Sequence, residues 1–198
     1  MNTPNKYLLY LHGFNSSPLS YKARATFDYW LKAGAANEIA VPELPYSPAA
    51  AMEILRDIVE RQSKPVVVIG SSLGGYYATY LAEQYRLRGV FVNPAVNPVE
   101  RWEDHLGEHI NYYSGRRHTI TREHIAELAA LDTPTLSHPE NYMLLAQTGD
   151  QTLDYRLAVD KYVNGTNIIQ EGGNHAFEAY EEMLPQIYRF LMQTNTDH

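Results

Sequence analysis

Short apolar runs alternate with helix-length segments along almost the whole chain, and that rhythm restricts the architecture sharply. The runs are Lys6 to His12, Glu38 to Pro42, Pro65 to Ser71, Arg88 to Asn93, Tyr142 to Thr148 and Asn167 to Glu171. Strands covered on both faces lose the in–out alternation of a half-exposed sheet and read as continuous apolar stretches. Between them, Ser20 to Gly34, a segment opening at Ser47-Pro48, Leu73 to Tyr85, Leu153 to Val163 and Ala176 to Met192 have helical spacing. In the second of these, Met52, Leu55, Ile58 and Val59 fall on one face, with Ser47 as N-cap and Pro48 in the first turn. The pattern predicts an α/β fold, a mostly parallel sheet with helices on both faces. At 198 residues it fits one domain with a full core. One stretch, about 97–138, breaks the rhythm. It is polar and rich in His and aromatic residues, with a helix expected near Thr121 through Glu123, Ile125, Leu128 and Leu131. Its length suits a short cap insertion over one end of the sheet better than a second domain.

Charge and composition remove several classes of function. Sixteen Lys plus Arg against 23 Asp plus Glu give a net charge of −7, which argues against nucleic acid or an anionic membrane surface as partner. The chain has no cysteine, so thiol catalysis, disulfides and Cys-based zinc sites are out. The N-terminal apolar run, Tyr7 to Leu11, is too short for a leader, and no stretch approaches the length of a membrane span. A cytoplasmic protein is expected. Nothing in the sequence selects an oligomeric state.

The chemistry concentrates where the third apolar run meets a helix, in "VVVIGSSLGGYYATYLAEQY". A strand that turns at once into a helix forces its turning residue into an unfavourable backbone conformation and pushes that side chain outward. The positions two before and two after come into contact, so both must be tiny. Gly70 and Gly74 meet this demand around Ser72, and Gly75 adds clearance for helix packing. This is the G-x-S-x-G nucleophile elbow in its required strand–turn–helix context. A glycine-rich turn with an idle serine has the same letters. A phosphate loop does not, because "GSSLGGYY" lacks the Lys-Ser/Thr of a P-loop and the first Gly-x-Gly of a dinucleotide fingerprint.

Serine needs a base, and the base needs an acid to orient it. In this fold both follow later strands, the acid first. Asp150 lies in the turn after "YMLLAQTG", and His175 follows "NIIQEGGN", where Gly172 and Gly173 let a loop carry the imidazole back. Asp154 is the rival acid, its other reading being an exposed residue in the first turn of the next helix. For an oxyanion, the expected donors are the backbone N–H groups of Leu73 and of Phe14, the latter in "LHGFNSSP" after the first strand. His12 reads as structural. His105 and His109, four apart, could pair as metal ligands on a helix, but no third ligand is evident and a solvated face is the preferred reading. His118, His124 and His138 fall in the insertion or its flank, and His198 is terminal. Trp102, Tyr112 and Tyr113 suit either an acyl pocket or a small core for the insertion.

Taken together, "YLHGFNSSPLSYKA", "GSSLGGYYATYLAE", "VFVNPAVNP", "TGDQTLDYR" and "GGNHAFE" resemble the blocks of the YqiA-type bacterial esterases, small members of the α/β-hydrolase superfamily. The blocks run in the family's order from Tyr7 to Glu178. The resemblance implies a single-domain α/β-hydrolase fold with a short cap. It also implies a small-molecule acyl ester or thioester substrate, no cofactor, no metal, and Ser72, Asp150 and His175 as nucleophile, acid and base. One position departs from the wider pattern. Many hydrolases have Gly three residues before the acid, where this chain has Gln147. The same scaffold also carries peptide and carbon–carbon bond cleavage and non-catalytic binding modules.

Overall fold

The computed structural model describes residues 6–193; His198 lies outside them. In chain order the elements are β1 (Tyr7–Leu11), α1 (Tyr21–Lys32), β2 (Ile39–Ala40), α2 (Pro48–Arg61), β3 (Val66–Ser71), α3 (Leu73–Tyr85), β4 (Arg88–Val92), α4 (Val99–Trp102), β5 (Gly107–Ile110), β6 (Arg117–Ile120), α5 (Arg122–Ala129), β7 (Tyr142–Gln147), α6 (Tyr155–Lys161), β8 (Thr166–Gln170) and α7 (Tyr180–Met192). Six strands form one parallel sheet in the order β2-β1-β3-β4-β7-β8. The α/β architecture and all six of its expected strands are present.

Alternate residues of each strand serve two separate cores. Leu9, Leu11, Val66, Val68, Phe91 and Leu144 point to the face covered by α2, α3 and α6. Leu8, Tyr10, Val67, Ile69, Val90 and Leu145 point to the face covered by α1 and α7. Both faces are therefore dry, which is why the strands read as unbroken apolar runs. Local signals agree at the helix ends. The Ser47 hydroxyl accepts a hydrogen bond from the Ala50 amide at 3.2 Å, an N-cap worth about 1 kcal/mol.

Two boundaries differ from expectation. The C-terminal helix starts at Tyr180 rather than Ala176, because Phe177 and Ala179 adopt left-handed φ values of 65° and 55°. That turn sends Phe177 into the core, where it is 1% exposed. Helix α6 starts at Tyr155 rather than Leu153, with the Asp154 carboxylate accepting from the Arg156 amide as its N-cap.

Between β4 and β7 stand α4, an antiparallel hairpin of β5 and β6, and α5. The hairpin is the element that the sequence pattern hid. Apart from Ile120, 2% exposed, its inward positions are filled by His109 and His118, directly paired across the two strands. This corrects the expectation of a helix carrying His105 and His109 on a solvated face. His105 sits in a turn, His109 on a strand, and both rings close on Phe14, with centroids 5.6 Å away. His118 packs on the same ring at 5.9 Å and stacks on Tyr46 at 4.7 Å. Trp102, 4% exposed, lies 5.3 Å from Phe14. His124 belongs to the α5 cap, its ring accepting from the Thr121 amide, and His138 lies 3.6 Å from Glu140. Among the described residues, no group of three or more His, Asp or Glu is arranged to hold a metal ion.

Burial lowers the pKa of both His105 and His118, and the neighbouring His109 pushes each in the same direction. The folded state therefore favours neutral rings. Their contribution to stability is complete above the ordinary histidine value of about 6.5 and is lost as pH falls through the lowered folded values. Thermal unfolding scans at pH 7.5 and pH 5 are expected to show a lower melting temperature at pH 5. A His105→Phe, His118→Phe double variant should show a smaller drop; an equal one would mean that other groups carry the acid sensitivity.

Candidate active site

β1, β3 and β4 lie side by side, with Leu11 opposite Gly70 and Ser71 opposite Val92, so their C-terminal ends form one rim. The chain lays β2 on one side of β1 and the strands from β3 onward on the other, so the order of strand addition switches between β1 and β3, the place where open α/β sheets leave a crevice. Ser72 projects there. Its backbone is at φ 56°, ψ −124°, a conformation that costs a non-glycine residue about 1–3 kcal/mol. The surroundings hold it. The Ser72 amide donates to Val92 O at 3.1 Å, and Ser72 O accepts from Gly75 N at 2.9 Å and Ala95 N at 3.0 Å. A Cβ on Gly70 would overlap the Gly74 carbonyl, and one on Gly74 would overlap the Leu11 carbonyl. These two glycines are what let helix α3 leave the strand so abruptly.

Loops after β7 and β8 bring two further side chains to Ser72. His175 Nε2 lies 3.0 Å from Ser72 Oγ, and His175 Nδ1 lies 2.7 Å from Asp150 Oδ2. The Asp150 side chain is 2% exposed, and its Oδ1 accepts from the amides of Thr152 and Leu153, each at 2.8 Å. Burial alone would raise its pKa. The hydrogen bond from His175, the Leu153 amide, the His175 charge and the Thr152 amide together outweigh that and hold it below the usual carboxylate value. An ionised Asp150 accepts only, so Nδ1 of the imidazole donates, and Nε2 of the neutral ring is left to accept the Ser72 hydroxyl proton. Asp154 faces elsewhere, spent on the α6 cap and on Arg156.

The loop after β1 presses on the same point. A Cβ on Gly13 would stand 3.1 Å from Ser72 Cβ. Among the described residues, the amides of Phe14 and Leu73 are bonded to no protein acceptor. His12, 3% exposed, ties the loop down. Its Nε2 accepts from the Leu44 amide at 3.1 Å, so Nδ1 carries the hydrogen and donates to Gly13 O at 2.9 Å. Both ring nitrogens are thus engaged by backbone.

A second layer of polar groups escaped the sequence reading. Asn93 and Gln147, each 3% exposed, hold the His175 loop from beneath. Asn93 Nδ2 donates to the carbonyls of Asn174 and His175, and its Oδ1 accepts from the Gln147 amide. Gln147 Oε1 accepts from the amides of Asn174 and Glu178, while its Nε2 donates to Gln170 Oε1 and Glu178 O. The available signal was Gln147 itself, a buried-strand position occupied by an amide where many hydrolases have glycine.

Two cavities flank the Gly13–Phe14 turn. One, about 380 Å³, contains Ser72 and His175 with Tyr113, Gln151 and Thr152 on its walls. The other, about 210 Å³, lies beyond Phe14 and Leu73 and is walled by Leu44, Pro45, Tyr46, Tyr77 and His118. Tyr113 reaches the first cavity, whereas Tyr112 is 88% exposed.

Solved structures with the same architecture include a monoacylglycerol lipase from Paleococcus ferrophilus, with a TM-score of 0.69 and 14% identity over 96% of this chain and 95% of that one. Mouse alpha/beta hydrolase domain-containing protein 10 matches with a TM-score of 0.69 and 14% identity, over 93% of this chain and 88% of its own. Est1E from Butyrivibrio proteoclasticus, solved with ferulic acid bound, matches with a TM-score of 0.66 and 13% identity, over 96% and 92%. At such identities the likeness is one of fold, an α/β-hydrolase fold. The model of the uncharacterised protein family UPF0227, the YqiA-like group, matches residues 7–192, and the chain belongs to that family.

Proposed function

We propose that this chain is a serine hydrolase of carboxylic esters, and of acyl thioesters by the same route. The supporting observation is the unbroken hydrogen-bond relay from Ser72 Oγ through His175 to Asp150, at 3.0 and 2.7 Å. In the first step His175 Nε2 takes the hydroxyl proton as Oγ bonds to the substrate carbonyl carbon, and the carbonyl electrons move onto oxygen. The amides of Leu73 and Phe14 receive that oxyanion, Leu73 from the positive end of α3. Collapse expels the alcohol or thiol, which leaves with the proton from His175, and an acyl-Ser72 ester remains. Water then loses a proton to His175 and attacks the acyl carbon; collapse breaks the bond to Ser72 Oγ, which takes the proton back from His175 as the acid is released. Asp150 stays ionised throughout and stabilises the transient imidazolium. Residues 97–138 serve as a cap, with Trp102 in its core and Tyr113 at the substrate cavity.

A fluorophosphonate probe tests the assembly directly. Intact-mass analysis should show one adduct, and peptide mapping should place it on Ser72. An unlabelled protein, or a label elsewhere, rejects the proposal.

Gln147 gives a quieter prediction. Gln147→Leu keeps the volume but removes four side-chain hydrogen bonds, three of them to the His175 loop and one to Gln170. Because displacement of a reacting group by about 1 Å costs on the order of 10²-fold, kcat should fall roughly 10- to 100-fold with KM little changed. A KM effect alone would mean that the loop stays in place without the amide.

A further inference from the structure

The cavity that holds Ser72 and His175 also holds a lysine that the relay does not use. Lys22, on the first turn of α1, is half-buried there beside Ser20 and Tyr21. Its Nζ donates to Ala176 O at 2.7 Å, which leaves two of the three ammonium hydrogens without a protein acceptor among the described residues. It forms no ion pair there either. Asp150 is the carboxylate whose charge acts on it, but both Asp150 oxygens are committed to His175 and to the amides of Thr152 and Leu153. Burial pulls the Lys22 pKa down to about 8, against the opposing pull of Asp150. The group is therefore still cationic at pH 7, only partly solvated, and on the wall of the cavity that holds the reacting hydroxyl. The N-terminus of α1 adds potential of the same sign, since the Ser20 hydroxyl does not cap it.

A partly desolvated cation without a counter-ion is costly in an empty cleft and favourable once an anion arrives. The second cavity carries charge of both signs, Glu43 with Arg116 and Arg117, whereas among the described residues Lys22 is the one charged side chain besides the histidines on the walls of the Ser72 cavity. Resting on the esterase reading above, we propose that Lys22 forms an anion subsite, so that the preferred substrates are esters bearing a carboxylate within reach of the scissile bond. The cavity of about 380 Å³ is large enough for a short chain ending in such a group.

Two matched pairs of esters test this and tell which side of the bond carries the charge. The acyl-side pair is 4-nitrophenyl hexanoate and the 4-nitrophenyl monoester of adipic acid; the alcohol-side pair is phenyl acetate and 4-acetoxybenzoate. In one pair the charged-over-neutral ratio of kcat/KM should fall at least tenfold in Lys22→Met and be retained in Lys22→Arg. Labelling of Ser72 by a neutral fluorophosphonate, run on each variant, reports whether the site is assembled. Ratios unchanged in both pairs, with neutral esters turned over and Ser72 labelled, overturn the subsite alone. A loss shared equally by charged and neutral esters makes Lys22 a strut for the His175 loop and also overturns it. No labelling and no turnover in the unmodified protein overturn the esterase reading and the subsite together.

Discussion

Ser72→Ala is expected to lower ester turnover by roughly 10⁴- to 10⁶-fold, the range lost when a serine nucleophile is removed from an assembled relay. Stability should hardly follow. Alanine at φ 56° carries the same backbone strain, and the side chain gives up one hydrogen bond, to His175, worth about 1 kcal/mol. A companion variant separates strain from chemistry. Ser72→Gly is equally inactive, yet glycine accepts a positive φ without the Cβ penalty, so it should unfold at a higher temperature than Ser72→Ala. The gain is expected to be about 1 kcal/mol or more. Kinetics on a chromogenic ester and thermal scans of the three proteins measure both effects. Activity retained in Ser72→Ala would refute the nucleophile assignment. Equal melting of the alanine and glycine variants would show that the elbow is not strained.

How much of this was legible in the sequence depends on what each residue has to do. The central strands were readable because both faces are buried, and burial on two sides leaves only one kind of residue. The elbow was readable because only glycine fits at Gly70 and Gly74, a steric demand that shows in the letters themselves. The β5–β6 hairpin was not, because Ile120 is joined on its inward face by His109 and His118, which carry no apolar periodicity although they pack on Phe14. Nor could spacing reveal Asn93 and Gln147. Polar residues in apolar strands look like defects until the loop that they hold is seen, 81 residues away for Asn93 and Asn174. Lys22 belongs to the same class, an ordinary helical lysine by sequence, given its environment by tertiary structure alone.

The choice of acid should show the sharpest contrast between two neighbouring carboxylates. In Asp150→Asn the new amide is not free to turn. The site of Oδ1 faces two backbone donors, the amides of Thr152 and Leu153, so the amide oxygen must go there. The NH₂ then takes the place of Oδ2 and points at His175 Nδ1, 2.7 Å away in the unmodified protein. A donor at that position forces Nδ1 to accept, which moves the ring hydrogen to Nε2, facing Ser72 Oγ. An imidazole in that tautomer cannot take the serine proton, and the expected loss in kcat is about 10⁴-fold, with folding intact because every hydrogen bond has a counterpart. Asp154→Asn should behave quite differently. Asparagine caps a helix about as well as aspartate, and Asp154 interacts with Arg156 rather than with the relay. Turnover within about twofold of the unmodified protein is expected there, with melting shifted by less than about 1 kcal/mol. Parallel kinetics on the two variants decide the matter: comparable losses, or the larger loss at Asp154, would mean that the loop after β7 rearranges before the serine is activated.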